Sequence, residues 1–285
     1  MLYNSAQEWQ NAVHKRVLFF GMSGLGKTHV SNTLRDEGDW FHYSVDYRIG
    51  TRYMSEPIVD ACMQAAMREP FLAQMLKRDA ISLSANVHTH DLSAVSTYLG
   101  KPGSAAKGGL SLQEYKRRQA QFKAAEISAL QDTTHFIARG QKIYSYPHFI
   151  CDTGGSICEW VDAENPDDKI LKALSENTLM IWLKGSDAHI NELIARFDRA
   201  PKPMAYQPEF LASTWSKYLS KNKCSEDEVD PDDFIRYAYG RALTHRQPRY
   251  EAMSQWGVTV SAEDISTVRD SSDFNAVVSA ALTAK

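Results

Sequence analysis

Residues 16–28 read RVLFFGMSGLGKT, an apolar run that stops at a glycine-rich turn and closes on a lysine and a threonine. The run has the length of one buried strand, and residues 28–34 can open a helix, so the local order is strand, loop, helix. Inside it, Gly21-Met22-Ser23-Gly24-Leu25-Gly26-Lys27-Thr28 fits G-x-x-x-x-G-K-[ST]. Each residue type there has its own task. Glycines let consecutive backbone N–H groups converge on phosphate oxygens, the lysine brings a point charge to the β and γ phosphates, and the threonine hydroxyl ligates Mg²⁺. The expected cofactors are therefore ATP and Mg²⁺, held by residues 21–28 together with His29 in the opening helix.

Further strands are predicted at 40–45, 148–151, 178–183 and 258–260, alternating with helical stretches. That alternation predicts an α/β fold, a parallel sheet covered on both faces in the three-layer manner of P-loop proteins. Two of the strands run into carboxylates, FHYSV into Asp46 and HFIC into Asp152. At the carboxyl edge of a parallel sheet both stand beside the glycine-rich loop. One can orient or deprotonate an acceptor hydroxyl while the other holds Mg²⁺ through water, although either aspartate alone also suits a helix cap or a turn.

About a hundred residues separate the second and third strands, far more than one crossover helix needs, so an insertion is expected there. Residues 56–80 and 111–130 read as helices, and LGKPGSAAKGGL at 99–110 as a mobile loop between them. The acidic KCSEDEVDPDD within 217–233 reads as a solvated turn before a helix at 234–244. His88 and His90 are spaced like metal ligands but have no Cys or carboxylate cluster nearby, which favours an exposed loop. Lys116, Arg117, Arg118 and Lys123 form a basic helix face, suited either to an anion-binding wall or to plain solvation. Trp160, Trp182, Trp215 and Trp256 lack interleaved basic residues and are expected in the core.

A net charge of −3 offers no global basic field for nucleic acid or an anionic membrane. Cys62, Cys151, Cys158 and Cys224 form no C-x-x-C pair and read as reduced thiols. Residues 1–14 lack the pattern of a signal peptide, and no apolar stretch reaches the roughly 18 residues of a membrane span, so a soluble cytoplasmic protein is expected.

Taken in order, several segments resemble the shikimate kinase family of small P-loop kinases. Asp46-Tyr-Arg-Ile49 is similar to the family's D-x-x-I, Phe122-Lys-Ala-Ala-Glu126 to its F-R-x-x-E, and Thr153-Gly-Gly-Ser156 to its glycine-rich turn. Leu193-Ile-Ala-Arg196 and Arg199-Ala-Pro-Lys-Pro203 resemble its lid, and Arg246-Gln-Pro-Arg-Tyr250 its R-x-P-x-Y segment. The resemblance implies that Asp46, Lys123, Gly154, Gly155 and Arg246 line an acceptor pocket, and that Arg196 or Arg199 works with Lys27 on the transferring phosphates. Three departures stand out: Lys123 replaces an arginine, Ser44 an aspartate and Ser156 a glycine. Lysine lacks the planar two-pronged grip on a carboxylate, so shikimate itself is not the expected substrate. Asp152 is expected to take over the metal role that Ser44 cannot fill.

The sequence thus predicts one domain over 1–285, with a helical insertion at about 54–115 that covers the acceptor side and a lid at about 193–215. The expected activity is transfer of the γ-phosphoryl group of ATP to a hydroxyl of a small anionic metabolite, with catalytic Lys27, Asp46, Asp152, Arg196 and Arg199 and metal ligands Thr28 and Asp152. A nucleoside, nucleotide or polynucleotide kinase is one alternative. A regulatory NTPase acting on a protein partner is the other.

Overall fold

The computed structural model describes residues 1–89 and 91–285. His90, half of the histidine pair noted above, lies outside the described residues. Strands β1 (Arg16–Phe20), β2 (Trp40–Ser44), β3 (His148–Asp152), β4 (Leu179–Lys184) and β5 (Val258–Ser261) form one sheet in the order β2-β3-β1-β4-β5. Every neighbouring pair is parallel. Successive strand residues face opposite sides, yet Val17, Leu18, Phe19 and Phe20 are all fully buried, so both faces of β1 are covered. The strands that follow β1 are laid first on one side of it and then on the other. The crevice this reversal leaves at the carboxyl ends lies at β1, where the glycine-rich turn begins.

Each predicted strand occurs within a residue of its expected bounds. β2 stops at Ser44 because that hydroxyl caps the helix Val45–Arg48, accepting from Tyr47 N at 3.4 Å. The helix expected at 56–80 is two helices, Ser55–Ala66 and Pro70–Lys77. Pro70 lacks an N–H and suits a first helical turn, and Glu69 caps the new start through Leu72 N at 2.7 Å.

The stretch at 99–110 is not the loose loop its composition suggests. Ser104 N donates to Val229 O at 2.9 Å, Lys101 pairs with Asp232 at 2.6 Å, and Lys107 reaches Asp230 at 3.3 Å. The basic loop is therefore pinned to the end of the acidic turn by two ion pairs, while Ser225–Glu228 of that turn stay exposed as expected. The helix expected at 234–244 extends over Pro231–Ser254, which sets Arg246 and Tyr250 one turn apart on a buried face. The stretch read as a lid comprises the end of helix Asp187–Arg199, a connector at 200–207 and the start of helix Pro208–Asn222.

One aromatic side chain ties both chain ends to the sheet. Phe274, from helix Ser271–Thr283, packs edge-on against Phe19, Trp9 and Trp40, with ring centroids 5.9, 6.2 and 5.6 Å away. Replacing Phe274 by alanine leaves a cavity at this junction and is expected to cost about 3–5 kcal/mol. Chemical denaturation followed by far-UV circular dichroism checks this, and a loss below about 1 kcal/mol would show that the junction repacks.

Candidate functional site

The loop after β1 turns on three glycines with positive φ, Gly21, Gly24 and Gly26, at 129°, 89° and 93°. L side chains rarely adopt this region, so the backbone can wrap tightly only with these residues. It wraps around a lysine. Lys27 is 6% exposed, and its Nζ donates to Gly21 O and Met22 O, both at 2.8 Å. Burial lowers its pKa to about 8, against the opposing pull of Asp46 and Asp152. Met22 and Leu25 are buried under the loop, whereas Ser23, Thr28 and His29 face outward.

Asp152 closes β3 in register with Phe19 of β1 and Ser44 of β2. Its Oδ2 accepts from Thr28 Oγ1 at 2.7 Å. Its Oδ1 lies 3.2 Å from His42 Nε2, close enough for an ion pair when His42 is protonated, although neither atom makes a well-aligned hydrogen bond. Burial alone would raise the Asp152 carboxyl, but His42, Thr28 and Ser44 together hold it below the ordinary range. An ionised carboxylate beside a hydroxyl oxygen at the start of a helix suits a hard cation that takes one or two protein oxygens and completes its shell with phosphate and water, as Mg²⁺ does.

Asp46 stands on the other side of Lys27's charge. It keeps partial exposure towards a cavity, yet the protein crowded around it, and then the Asp152 charge, push its carboxyl up to about 6. The Thr153-Gly-Gly-Ser156 turn is fitted between Asp46 and the loop. A Cβ on Gly154 would meet Asp46 Oδ1 at 2.8 Å and Glu126 Oε1 at 3.3 Å, and one on Gly155 would meet Ser23 Oγ at 2.9 Å. A side chain at either position would displace the Asp46 carboxylate or the Ser23 hydroxyl.

Glu126, to which the sequence assigns no role, is fully buried here. Its Oε2 accepts from Ser156 Oγ and from Trp160 Nε1, each at 2.6 Å, while Oε1 has no partner. Burial and then the Asp46 charge raise its pKa to about 7, partly offset by the Ser156 bond. Its signal was its position four residues after Phe122 and four before Leu130, which puts a carboxylate in the apolar stripe of helix Leu112–Gln131. Trp160, expected in the core, is half-buried and serves this carboxylate.

These groups border a cavity of about 170 Å³. Ser23, Asp46, Gly154, Gly155 and Ser156 line its inner side, and Ile49 and Phe122 its flank. Leu92, Val95, Ser96 and Leu99, around helix Ser93–Leu99, and Pro203, Met204 and Ala205 of the connector cover it. Leu92, Val95, Ser96 and Leu99 fall within the 54–115 segment.

The four basic residues expected at the site are placed unequally. Arg196 reaches the loop, its guanidinium packed against Gly24 where no Cβ would fit. Arg199 points elsewhere, its Nε donating to Ala195 O at 3.3 Å within its own helix. Arg246 borders the cavity but is committed, with Nε on Glu159 Oε1 at 2.7 Å and Nη2 on Ala205 O at 2.5 Å. Lys123 is not brought in. Its ammonium lies 5.5 Å from the Trp160 ring centroid, in an adjoining groove with Lys116 and Gln119.

No protein-family model and no curated protein matches the chain. Among solved structures, a shikimate kinase from Bacteroides thetaiotaomicron is similar over 95% of both chains, at 14% identity and a TM-score of 0.39. At that level the likeness assigns no activity. No helix among the described residues is long and apolar enough to cross a membrane, and the four cysteines are all unpaired.

The proximity of Asp46 to Glu126 has a measurable sign. Removing the Asp46 charge in Asp46→Asn favours the ionised form of Glu126, so the Glu126 pKa is expected to fall from about 7. Carboxyl-carbon NMR titration reads it directly, and an unmoved Glu126 would show that burial alone holds it high.

Proposed function

We propose that this chain is an ATP-dependent phosphotransferase that moves the γ-phosphoryl group to a hydroxyl of a small molecule held over Asp46. The supporting observation is that the lysine-bearing loop and the Asp46 cavity share a wall, with Ser23 and Gly155 bordering both. A phosphate on the loop and a hydroxyl in the cavity then lie on the two sides of one short gap, which is the positioning that phosphoryl transfer needs most.

In this reading the glycine-rich backbone and Lys27 bind the triphosphate, the ammonium exchanging the Gly21 and Met22 carbonyls for phosphate oxygens. Thr28 and Asp152 would hold Mg²⁺, which would supply charge neutralisation for the triphosphate. Arg196, on Gly24, adds positive charge from the outer side. Asp46 accepts the proton of the acceptor hydroxyl as its oxygen bonds the γ phosphorus and the bond to the β-phosphate oxygen breaks, releasing ADP. A carboxyl near 6 is ionised at neutral pH and basic enough for that role.

A nucleoside acceptor has less support, because Phe122 is the single aromatic ring bordering the cavity among the described residues. A second reading, an NTPase driving a protein partner, is favoured by one observation. The two helices Ser55–Ala66 and Pro70–Lys77 expose Met67 at 41% and Phe71 at 64%. It predicts hydrolysis without any acceptor, stimulated by protein and not by metabolite fractions.

Acceptor-dependent ADP formation, screened over hydroxyl compounds, tests the main reading. Lys27→Ala is expected to lower kcat/KM by about 10²- to 10³-fold, and Asp46→Asn by about 10²- to 10⁴-fold. Acceptor-independent hydrolysis left intact in Asp46→Asn, with no phosphorylated product from the native chain, would sink it.

The two groups also set a pH profile. Activity needs Asp46 ionised, so kcat/KM falls as pH drops through about 6. It needs Lys27 protonated, so kcat/KM falls again as pH rises through about 8. The expected curve is a bell whose acid limb disappears in Asp46→Asn, and an acid limb kept by that variant would remove Asp46 as the base.

A further inference from the structure

Taking the phosphotransferase reading as its basis, we infer that the acceptor is an uncharged, ring-sized alcohol with a hydrocarbon face, and not an acid. Four observations lead there.

The first is the charge of the wall. A carboxylate or phosphate on the acceptor would have to be matched in a half-enclosed space, since a buried unpaired charge is costly. Among the described residues Arg246 is the one cation that lines the cavity, and it is 3% exposed with its guanidinium bonded to Glu159 and to the Ala205 carbonyl. Glu159 is itself fully buried, so this pair is already neutral. Lys123 lies over Trp160 in the neighbouring groove.

The second is what remains. Asp46 faces the cavity, and Glu126 stands behind Gly154 with Oε1 unpartnered. The Asp46 charge would repel an acidic substituent, and Glu126 offers it no compensating cation. Ser23, Ser96 and Ser156 can serve hydroxyl groups without regard to charge.

The third is the surface of the roof and flank. Ile49, Leu92, Val95, Leu99, Phe122 and Met204 present hydrocarbon, which rewards an apolar body and gives nothing to a solvated anion. The fourth is size. A cavity of about 170 Å³ is of the order of an engineered one, about 150 Å³, that holds benzene. A sugar and base together exceed it.

The test compares binding and transfer for a matched pair, cis-1,2-cyclohexanediol and its ring carboxylate, 3,4-dihydroxycyclohexane-1-carboxylate. Ligand-observed NMR measures binding with and without ATP and Mg²⁺, and ³¹P NMR measures phosphorylated product. The diol is expected to bind at least about tenfold more tightly than the acid. In Leu92→Lys, which adds a cation at the partly exposed rim without disturbing the buried pair, the acid is expected to gain about tenfold and the diol to lose. Equal or tighter binding of the acid by the native chain overturns the inference, as does failure of both compounds to bind at millimolar concentration. Diol binding that responds to Leu92→Lys, with no phosphorylated product, keeps the pocket chemistry and rejects the phosphotransferase reading instead.

Discussion

The ammonium of Lys27, buried under its own loop, sets the terms for everything at the carboxyl edge of the sheet. Two carbonyls of that loop take two of its three hydrogens, and this needs a backbone that glycine adopts readily at Gly21, Gly24 and Gly26. Its charge is answered by two aspartates at the ends of neighbouring segments, Asp46 and Asp152. One cation cannot hold two buried carboxylates equally. Asp152 gathers Thr28, Ser44 and His42 and stays ionised, whereas Asp46, governed by burial and by the Asp152 charge, drifts upward. The division of roles between a metal-holding carboxylate and a basic one follows from which of them owns the hydrogen-bond donors.

Much of this was legible from residues 16–28 and from the two strands ending in aspartate, because strand burial and loop chemistry are local. The five strands, the helix after the loop, and the meeting of Lys27, Thr28, Asp46 and Asp152 follow from that pattern. What escaped depends on contacts between distant segments. The basic stretch at 99–110 looks mobile until the acidic turn at 229–232 is laid against it. Arg246 looks like a free cation until Glu159, 87 residues away, takes its guanidinium. His42 gives no signal at all in the sequence, since a histidine in an alternating strand reads as a surface residue.

Glu126 shows how the placement of one neighbouring side chain sets the character of a pocket. A buried carboxylate on helix Leu112–Gln131 needs donors, and a basic residue three positions earlier is an obvious source. Lys123 instead stacks outward on Trp160, and two neutral donors, the Trp160 indole and the Ser156 hydroxyl, satisfy one oxygen only. Two neutral hydrogen bonds do not compensate a full charge in a dry site, so the carboxyl moves toward its protonated form. The same choice that neutralises Glu126 also leaves Lys123's charge outside the cavity.

The cover meets the segment that follows Asp46 at a close approach. Gly50 follows Asp46 in the π-helical turn Ile49–Tyr53, and a Cβ there would meet Val87 Cγ1 at 2.7 Å and Val95 Cγ2 at 3.0 Å. The long segment after β2 therefore rests its Val87 and Val95 directly on the backbone that carries Asp46. Val95 faces the cavity from this same contact. A methyl group at position 50 would require the Val87 and Val95 side chains to shift. Packed interfaces of this kind transmit displacement because they have no slack to absorb it. On the proposed reading, the residues that meet an acceptor's hydrocarbon face and the carboxylate that meets its hydroxyl are thus joined through the contact of Val87 and Val95 with Gly50.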